Sequence, residues 1–322
     1  LVLSSVLSND SEEIAREEDK KQSKEENYRK FIGERDYRLP FKTKLAVPLD
    51  EGMTIHALGT VNSEPKRIDF NFHKGPDETA NLPLHFSIRF DEGIFSGKLV
   101  YNTFIDGNWS DNEQRISNPF RANEKFDLRV RILNGKYEAF ANRKKIGEFG
   151  QRMTLDGVDH VSVSGDLSNL RLFHYGGRLF PIPYTAVANL TPGKRLDISA
   201  LPTGKRINID LYHSDRQQAL ELSIRFNEGA VVRNAMENHN WGKEERDGVI
   251  SKISYVPIKK KNFHFFSFDL TIINEKFSYQ IFFNQKRFAT FAHRGSPDDI
   301  EILEISGDLE LYTVTINDAL GV

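Results

Sequence analysis

Two short stretches of this chain put hydrogen-bonding side chains on alternate residues, and each leads into an asparagine, a tryptophan and a glutamate–arginine pair. In the first, His85, Ser87 and Arg89 alternate with Leu84, Phe86, Ile88 and Phe90, and Asn102, Trp109, Glu113 and Arg115 follow. In the second, Glu221, Ser223 and Arg225 alternate with Leu220, Leu222, Ile224 and Phe226, and Asn234, Trp241, Glu244 and Arg246 follow. Alternate residues of a strand face opposite sides, so the apolar sets must enter a core. The polar sets then form rows with side chains about 7 Å apart on the other face. The Glu-x-Arg spacing likewise puts both groups on one strand face, where they can orient one another.

Such rows suit a hydroxyl-rich ligand. An exposed indole stacks on the apolar C–H face of a sugar ring, while amide, carboxylate and guanidinium groups bind its hydroxyls. The solvated outer face of an antiparallel sheet would account for either row alone, and a structural tryptophan for either indole alone. The recurrence of tryptophan amid the same polar neighbours favours the ligand.

The elements that must position these residues read as strands. Arg67–Phe72, Leu84–Phe90, Phe126–Ile132, Lys136–Phe140, Val161–Ser164, Ile207–Tyr212, Phe263–Ile272 and Phe277–Phe283 are rich in Phe, Ile, Val and Tyr. Turn chemistry lies between them, as in Asp106-Gly107 and Asn134-Gly135. Beyond the first segment nothing reads as a long amphipathic helix, so the expected class is all-β, at the strand spacing of a sandwich. The chain also repeats itself. Leu84–Gly93 matches Leu220–Gly229, Val163-Ser164-Gly165-Asp166-Leu167 matches Ile305-Ser306-Gly307-Asp308-Leu309, and Leu39-Pro40-Phe41 is echoed by Ile182-Pro183-Tyr184. Trp109 and Trp241 are the only 2 tryptophans and hold equivalent places. An ordered match of this kind means two copies of one domain, expected at 37–177 and 178–322, with a boundary near Tyr175-Gly176-Gly177. The short junction predicts a fixed tandem.

The segment 1–36 differs. Charge dominates it, with Glu17 and Lys21, Glu25 and Arg29, and Glu26 and Lys30 at i,i+4 spacing, worth about a few tenths of a kcal/mol each. Ile14, Tyr28, Phe31 and Ile32 form no sustained stripe, so a solvated, frayed helix or a disordered segment is expected, with a coiled-coil arm as the alternative. The apolar Leu1–Ser8 is expected to be a fragment boundary or unstructured tail, the stub of a cleaved signal peptide being the alternative.

Composition excludes several classes. The 322 residues are 39% hydrophobic and 28% charged, with 44 Lys and Arg against 46 Asp and Glu. The net charge of −2 gives no support to a nucleic-acid partner. No cysteine is present, which removes disulfides, thiolate metal sites and cysteine nucleophiles. No stretch nears the roughly 18 apolar residues of a membrane span, so no membrane insertion is expected.

On these residues the chain resembles a tandem-repeat galectin. That family's signature places His-x-Asn-Pro-Arg on one strand, Val-x-Asn on the next and Trp-Gly-x-Glu-x-Arg after it; Trp241-Gly242-Lys243-Glu244-Glu245-Arg246 is the most specific match. The resemblance runs from Tyr37 to the C-terminus. It implies two jelly-roll-like β-sandwiches that bind β-galactosides of glycoproteins or glycolipids on a concave sheet, with no metal or other cofactor and no catalysis. It also implies a cytoplasmic protein, or one that leaves the cell without a signal peptide. By this resemblance His85, Arg89, Asn102, Trp109, Glu113 and Arg115 are sugar contacts, while Ser87 stands for the family's Asn and Ile88 for its Pro. One extra residue separates Trp109 from Glu113. In the second copy Arg225, Asn234, Trp241, Glu244 and Arg246 match, but Glu221 replaces the His and Ser223 the Asn. In the family, His, Asn and Arg together recognise galactose's axial hydroxyl, and each lost hydrogen bond costs on the order of 1 kcal/mol. The first domain is therefore expected to keep more β-galactoside binding. The second is expected to be weakened or altered, its Glu221 able to pair with Arg225 along the strand.

Two alternatives stand beside this reading. A glycosidase needs two carboxyls about 5–9.5 Å apart, but adjacent Glu244 and Glu245 point to opposite strand faces, and Gln114 takes the place of Glu245 in the first copy. A galectin-like interaction protein that has lost sugar binding is the other, since both domains lack the signature Asn. Other signals are weak: the Lys259-Lys260-Lys261 triplet reads as a solvated loop, and His73, His160, His174 and His293 lack metal-ligand spacing. Asn9, Asn108 and Asn189 begin glycosylation sequons, and a glycan on Asn108 would crowd Trp109.

Overall fold

The computed structural model describes residues 2–93, 96–246, 248 and 266–320. The Lys259–Lys261 triplet and the start of the expected strand Phe263–Ile272 lie outside the described residues; the strand there is Phe268–Asn274. Apart from the helix Val2–Arg29, the chain is antiparallel strands folded as two β-sandwiches.

In the first, one sheet runs in the order Phe41–Lys44, His160–Gly165, Arg67–His73, Leu82–Arg89, Lys98–Ile105 and Asn108–Trp109, with Gln114–Ser117 also paired to Lys98–Ile105. The other runs Lys144–Gly150, Lys136–Ala141, Lys125–Leu133, Met53–Val61 and Leu167–Gly177. Leu84, Phe86 and Ile88 point inward between the sheets, where they meet Ile68, Phe70, Phe126, Leu128 and Val130. The second sandwich has the same layering, but Lys194–Tyr212 and Ile302–Asp318 each run through both layers, with their register shifted between Pro202 and Ile207. In the first copy that path breaks between Val61 and Arg67, where Pro65 has no N–H to give a ladder.

Two-residue turns join the hairpins. Asn134 and Gly135 take φ of 54° and 69°, Asp106 and Gly107 take 49° and 83°. Left-handed conformations at both central residues match the twist of the flanking strands, which is why Asn-Gly and Asp-Gly sequences fit there.

The sandwiches pack back to back. Asp127, Arg129 and Arg131 alternate with the core residues of Lys125–Leu133 and so leave its sheet on the outer side, against Ser199, Asp269 and Tyr312 of the other copy. Arg129 Nη1 and Nη2 donate to Asp269 at 2.7 Å each, and its Nε donates to Asp127 at 3.0 Å. His56 Nε2 lies 2.9 Å from Asp127. Arg131 donates to Glu310 at 2.8 Å and sits 4.2 Å from the centre of the Tyr312 ring. Burial disfavours these charges, yet Arg129 keeps both aspartates below the ordinary range and they keep it ionised.

The N-terminal helix departs from the solvated helix expected of it. Tyr28 is buried, its hydroxyl donating to Glu275 at 2.8 Å and its ring meeting Phe282 edge-on. Lys24 pairs with the same Glu275 at 3.0 Å. The next residues then span both sandwiches: Arg195 and Gln285 donate to Lys30 O and Glu34 at 3.0 Å each, while Arg35 N donates to Arg171 O at 2.9 Å. One aromatic per several turns carries the contact, too sparse for a periodic stripe. No helix among the described residues is long and apolar enough to cross a membrane.

Candidate functional site

The outer face of the sheet that holds Leu82–Arg89, and that of its counterpart holding Gln218–Arg225, carry the expected residues together. On the first, register places Asn71 opposite His85, and His85 opposite Asn102. His85 Nδ1 lies 2.5 Å from Asn71 Oδ1. Burial, then Arg67 and Arg89, lower its pKa to about 4 against the opposing pull of Asp69 and Glu113. The ring is thus neutral at pH 7. With the proton on Nδ1 toward Asn71, Nε2 is left as an acceptor for a hydroxyl. Trp109 stacks at a tilt against His85 and Phe104, with ring centres 4.6 and 5.1 Å apart, yet stays 48% exposed. The Asp106-Gly107 turn folds it back over the sheet. Asn102 is held by its own contacts, donating to Ser110 O at 3.0 Å and accepting from Arg152 at 3.2 Å.

Beside the indole lies a quartet of alternating charge. Arg89 donates to Glu92 at 2.6 Å and to Ser87 at 3.3 Å; Arg115 donates to Glu92 at 2.8 Å and to Glu113 at 2.5 Å. The hydrogen bond from Arg89 keeps the Glu92 carboxyl below its ordinary range. Each group fixes the next, so the N–H and carboxylate edges facing outward are preorganised for hydroxyls.

The second face repeats the quartet. Arg225 lies 3.5 Å from Glu228 and 3.9 Å from Glu244, and Arg246 lies 3.0 Å from Glu228 and 2.7 Å from Glu244. Trp241 is 47% exposed. Asn234 donates to Gly242 O at 3.1 Å and accepts from Arg294 at 2.6 Å. The extra residue of the first copy is taken up after Ser110, because Asn102 binds Ser110 O as Asn234 binds Gly242 O, so both tryptophans keep the same place. Glu221 does not pair with Arg225 as the sequence suggested. Its partner is Arg206 of the neighbouring strand, at 3.6 Å; Arg206 lies across the ladder from Arg225 itself, whose guanidinium is taken by Glu228 and Glu244. Glu245 turns away from Glu244, toward Arg233 and Arg294 at 3.8 and 3.6 Å. No group of His, Asp or Glu among the described residues converges to hold a metal ion.

Sequence reasoning missed three sets of residues. Glu92 and Glu228 bridge the two arginines of each quartet, Arg152 and Arg294 brace the two asparagines, and Asp69, Asn71, Asn208 and Asp210 line the adjoining strand. The signal for the glutamates was the Asp91-Glu92-Gly93 and Asn227-Glu228-Gly229 repeat, and for the arginines their shared place three residues after Phe149 and Phe291.

The model of the galactoside-binding lectin family matches twice, over residues 40–174 and 181–316. A 32 kDa beta-galactoside-binding lectin of Haemonchus contortus is 36% identical over 286 residues, covering 86% of this chain and 95% of that protein. One of the same description from Caenorhabditis elegans is 35% identical over 288 residues, covering 88% and 98%. Galectin-4 of Rattus norvegicus is 29% identical over 321 residues, covering 86% and 95%.

Proposed function

The chain belongs to the galactoside-binding lectin family as a tandem-repeat galectin, and from that premise we propose that it binds β-galactoside glycans chiefly through its first domain, 37–177. The second domain, 178–322, presents an altered face, and 1–36 is the charged N-terminal segment. Binding without catalysis is the activity. The observation that carries this reading is the Arg89–Glu92–Arg115–Glu113 quartet beside the exposed Trp109, a preorganised polar edge next to a flat apolar one. In this reading His85 Nε2 accepts from the axial hydroxyl and Arg89 donates to it. Ser87 reaches less far than an asparagine would, Asn102 and Glu113 take further hydroxyls with Arg115 orienting Glu113, and Trp109 stacks on the C–H face. Arg225, Asn234, Trp241, Glu244 and Arg246 play the corresponding parts, with Glu221 and Ser223 as the changed positions.

The packing of the sandwiches supports bridging. Both recognition faces point outward from a four-sheet stack, so three sheet spacings of about 10 Å put them about 30 Å apart. One chain can then link two glycoconjugates with avidity set by a fixed geometry. Tryptophan fluorescence during lactose titration tests the reading in Trp241→Phe and Trp109→Phe variants, which isolate each indole. Quenching of Trp109 at lower lactose than Trp241 is expected. A response from Trp241 alone overturns the ranking, and silence from both overturns the function.

A further inference from the structure

Across the second face, hydrogen-bonded neighbours line up as Thr185, Glu304, Asp210, Glu221 and Asn234. The same row on the first face is Lys42, Ser162, Asn71, His85 and Asn102. Three neutral, mutually bonded groups, Ser162, Asn71 and His85, are thus replaced by three carboxyls spanning about 10 Å, two strand spacings. Among the described residues the cation paired with them is Arg206, 3.6 Å from Glu221 and already bonded to Asn208 and Ser223. Asp210 is 8% exposed, and no hydrogen bond or ion pair reaches its carboxyl among the described residues. Its neighbours Ile209 and Leu211 face the core, so alternation turns Asp210 onto the recognition face. A nearly buried carboxyl without a partner is costly unless something fills that role. Burial, then Glu221 and Glu304, push it up to about 7 against the pull of Arg206.

We propose that the row Glu221–Asp210–Glu304 makes the second face a site for glycans bearing an unsubstituted amino sugar, whose ammonium sits between these carboxylates while Arg225, Asn234 and Trp241 hold the adjoining galactose. This rests on the lectin reading above. An ammonium donates three hydrogen bonds in a compact, adaptable arrangement, which suits carboxyls spread along a row. A divalent metal needs its ligands converged on one point, and the described residues offer no such group. The first face, with neutral Ser162, Asn71 and a neutral imidazole, has no corresponding preference.

Calorimetric titration of the full chain with a galactosaminyl-galactose disaccharide, the same disaccharide N-acetylated, and lactose tests this. The free amine is expected to bind at least tenfold more tightly than the acetylated form, about 1.4 kcal/mol, with the ratio falling at high salt. In Asp210→Asn/Glu304→Gln the ratio is expected to collapse toward one. Equal affinities in the unmodified protein, or a tenfold ratio that survives in the double variant, would overturn the proposal. Lactose binding without an amine preference sinks this inference alone, whereas absence of lactose binding sinks the lectin reading beneath it.

Discussion

Replacing Arg129 with methionine tests whether the two sandwiches act as one body. Arg129 is almost fully buried and donates five hydrogen bonds, two to Asp269 at 2.7 Å, two to Asp127 at 3.0 and 3.3 Å and one to Ser199 at 3.3 Å. Methionine fills much of the same volume but leaves two buried carboxylates facing one another, with Lys125 at 3.2 Å and His56 at 2.9 Å remaining beside Asp127. Removing one partner of a buried ion pair costs about 3–5 kcal/mol, most of it from the charge left behind. At about 2–4 °C per kcal/mol for domains of this size, Tm should fall by roughly 6–20 °C in scanning calorimetry at pH 7. The triple variant Arg129→Met/Asp127→Asn/Asp269→Asn should recover most of that loss, because neutral amides carry a smaller desolvation cost. Lactose affinity of each face should stay unchanged, while agglutination of glycan-coated beads weakens as the faces lose their fixed separation. A fall of less than about 2 °C, or a triple variant no more stable than the single, would refute the argument that this network joins the sandwiches.

Three further outcomes follow from the same geometry. Arg89→Ala should weaken lactose binding at the first face about 10- to 100-fold by calorimetry, since hydrogen bonds to a charged group contribute about 1.5–3 kcal/mol. Lactose binding there should hold from pH 7 to about pH 5 and fall near pH 4, because His85 is lowered to about 4 and its Nε2 accepts only while the ring is neutral; a loss centred near pH 6.5, the ordinary histidine value, would contradict the buried imidazole. Tyr28→Ala should cost about 3–5 kcal/mol of chemical-denaturation stability, and Tyr28→Phe only about 1 kcal/mol for the bond to Glu275; equal small effects would return the helix to solvent.

The two-copy architecture and the strands that carry the site were legible because each rests on local periodicity. Alternation along Leu84–Phe90 and Leu220–Phe226 has a period of two whatever lies across the core, and the Asn-Gly and Asp-Gly turns encode their own φ values. The pairing of Glu113 with Arg115 and Glu244 with Arg246 was equally readable, since spacing alone puts each pair on one face. The Glu221 partner was not, because register brings Arg206 alongside Arg225, and Glu228 and Glu244, which lie outside the strand, occupy Arg225.

The sequence by itself determined two copies of one all-β unit, their polar rows, their tryptophans and the absence of thiol chemistry. Tertiary structure decided which face of each sheet meets the other sandwich. The row Asp127, Arg129, Arg131 looks like any solvated strand face until Asp269 and Glu310 arrive from 140 and 179 residues away. It decided, too, that Asp210, Glu221 and Glu304 share one row. Alternation fixes which side a residue faces, but its neighbours across the sheet follow from register, which is set by turns and packing far along the chain.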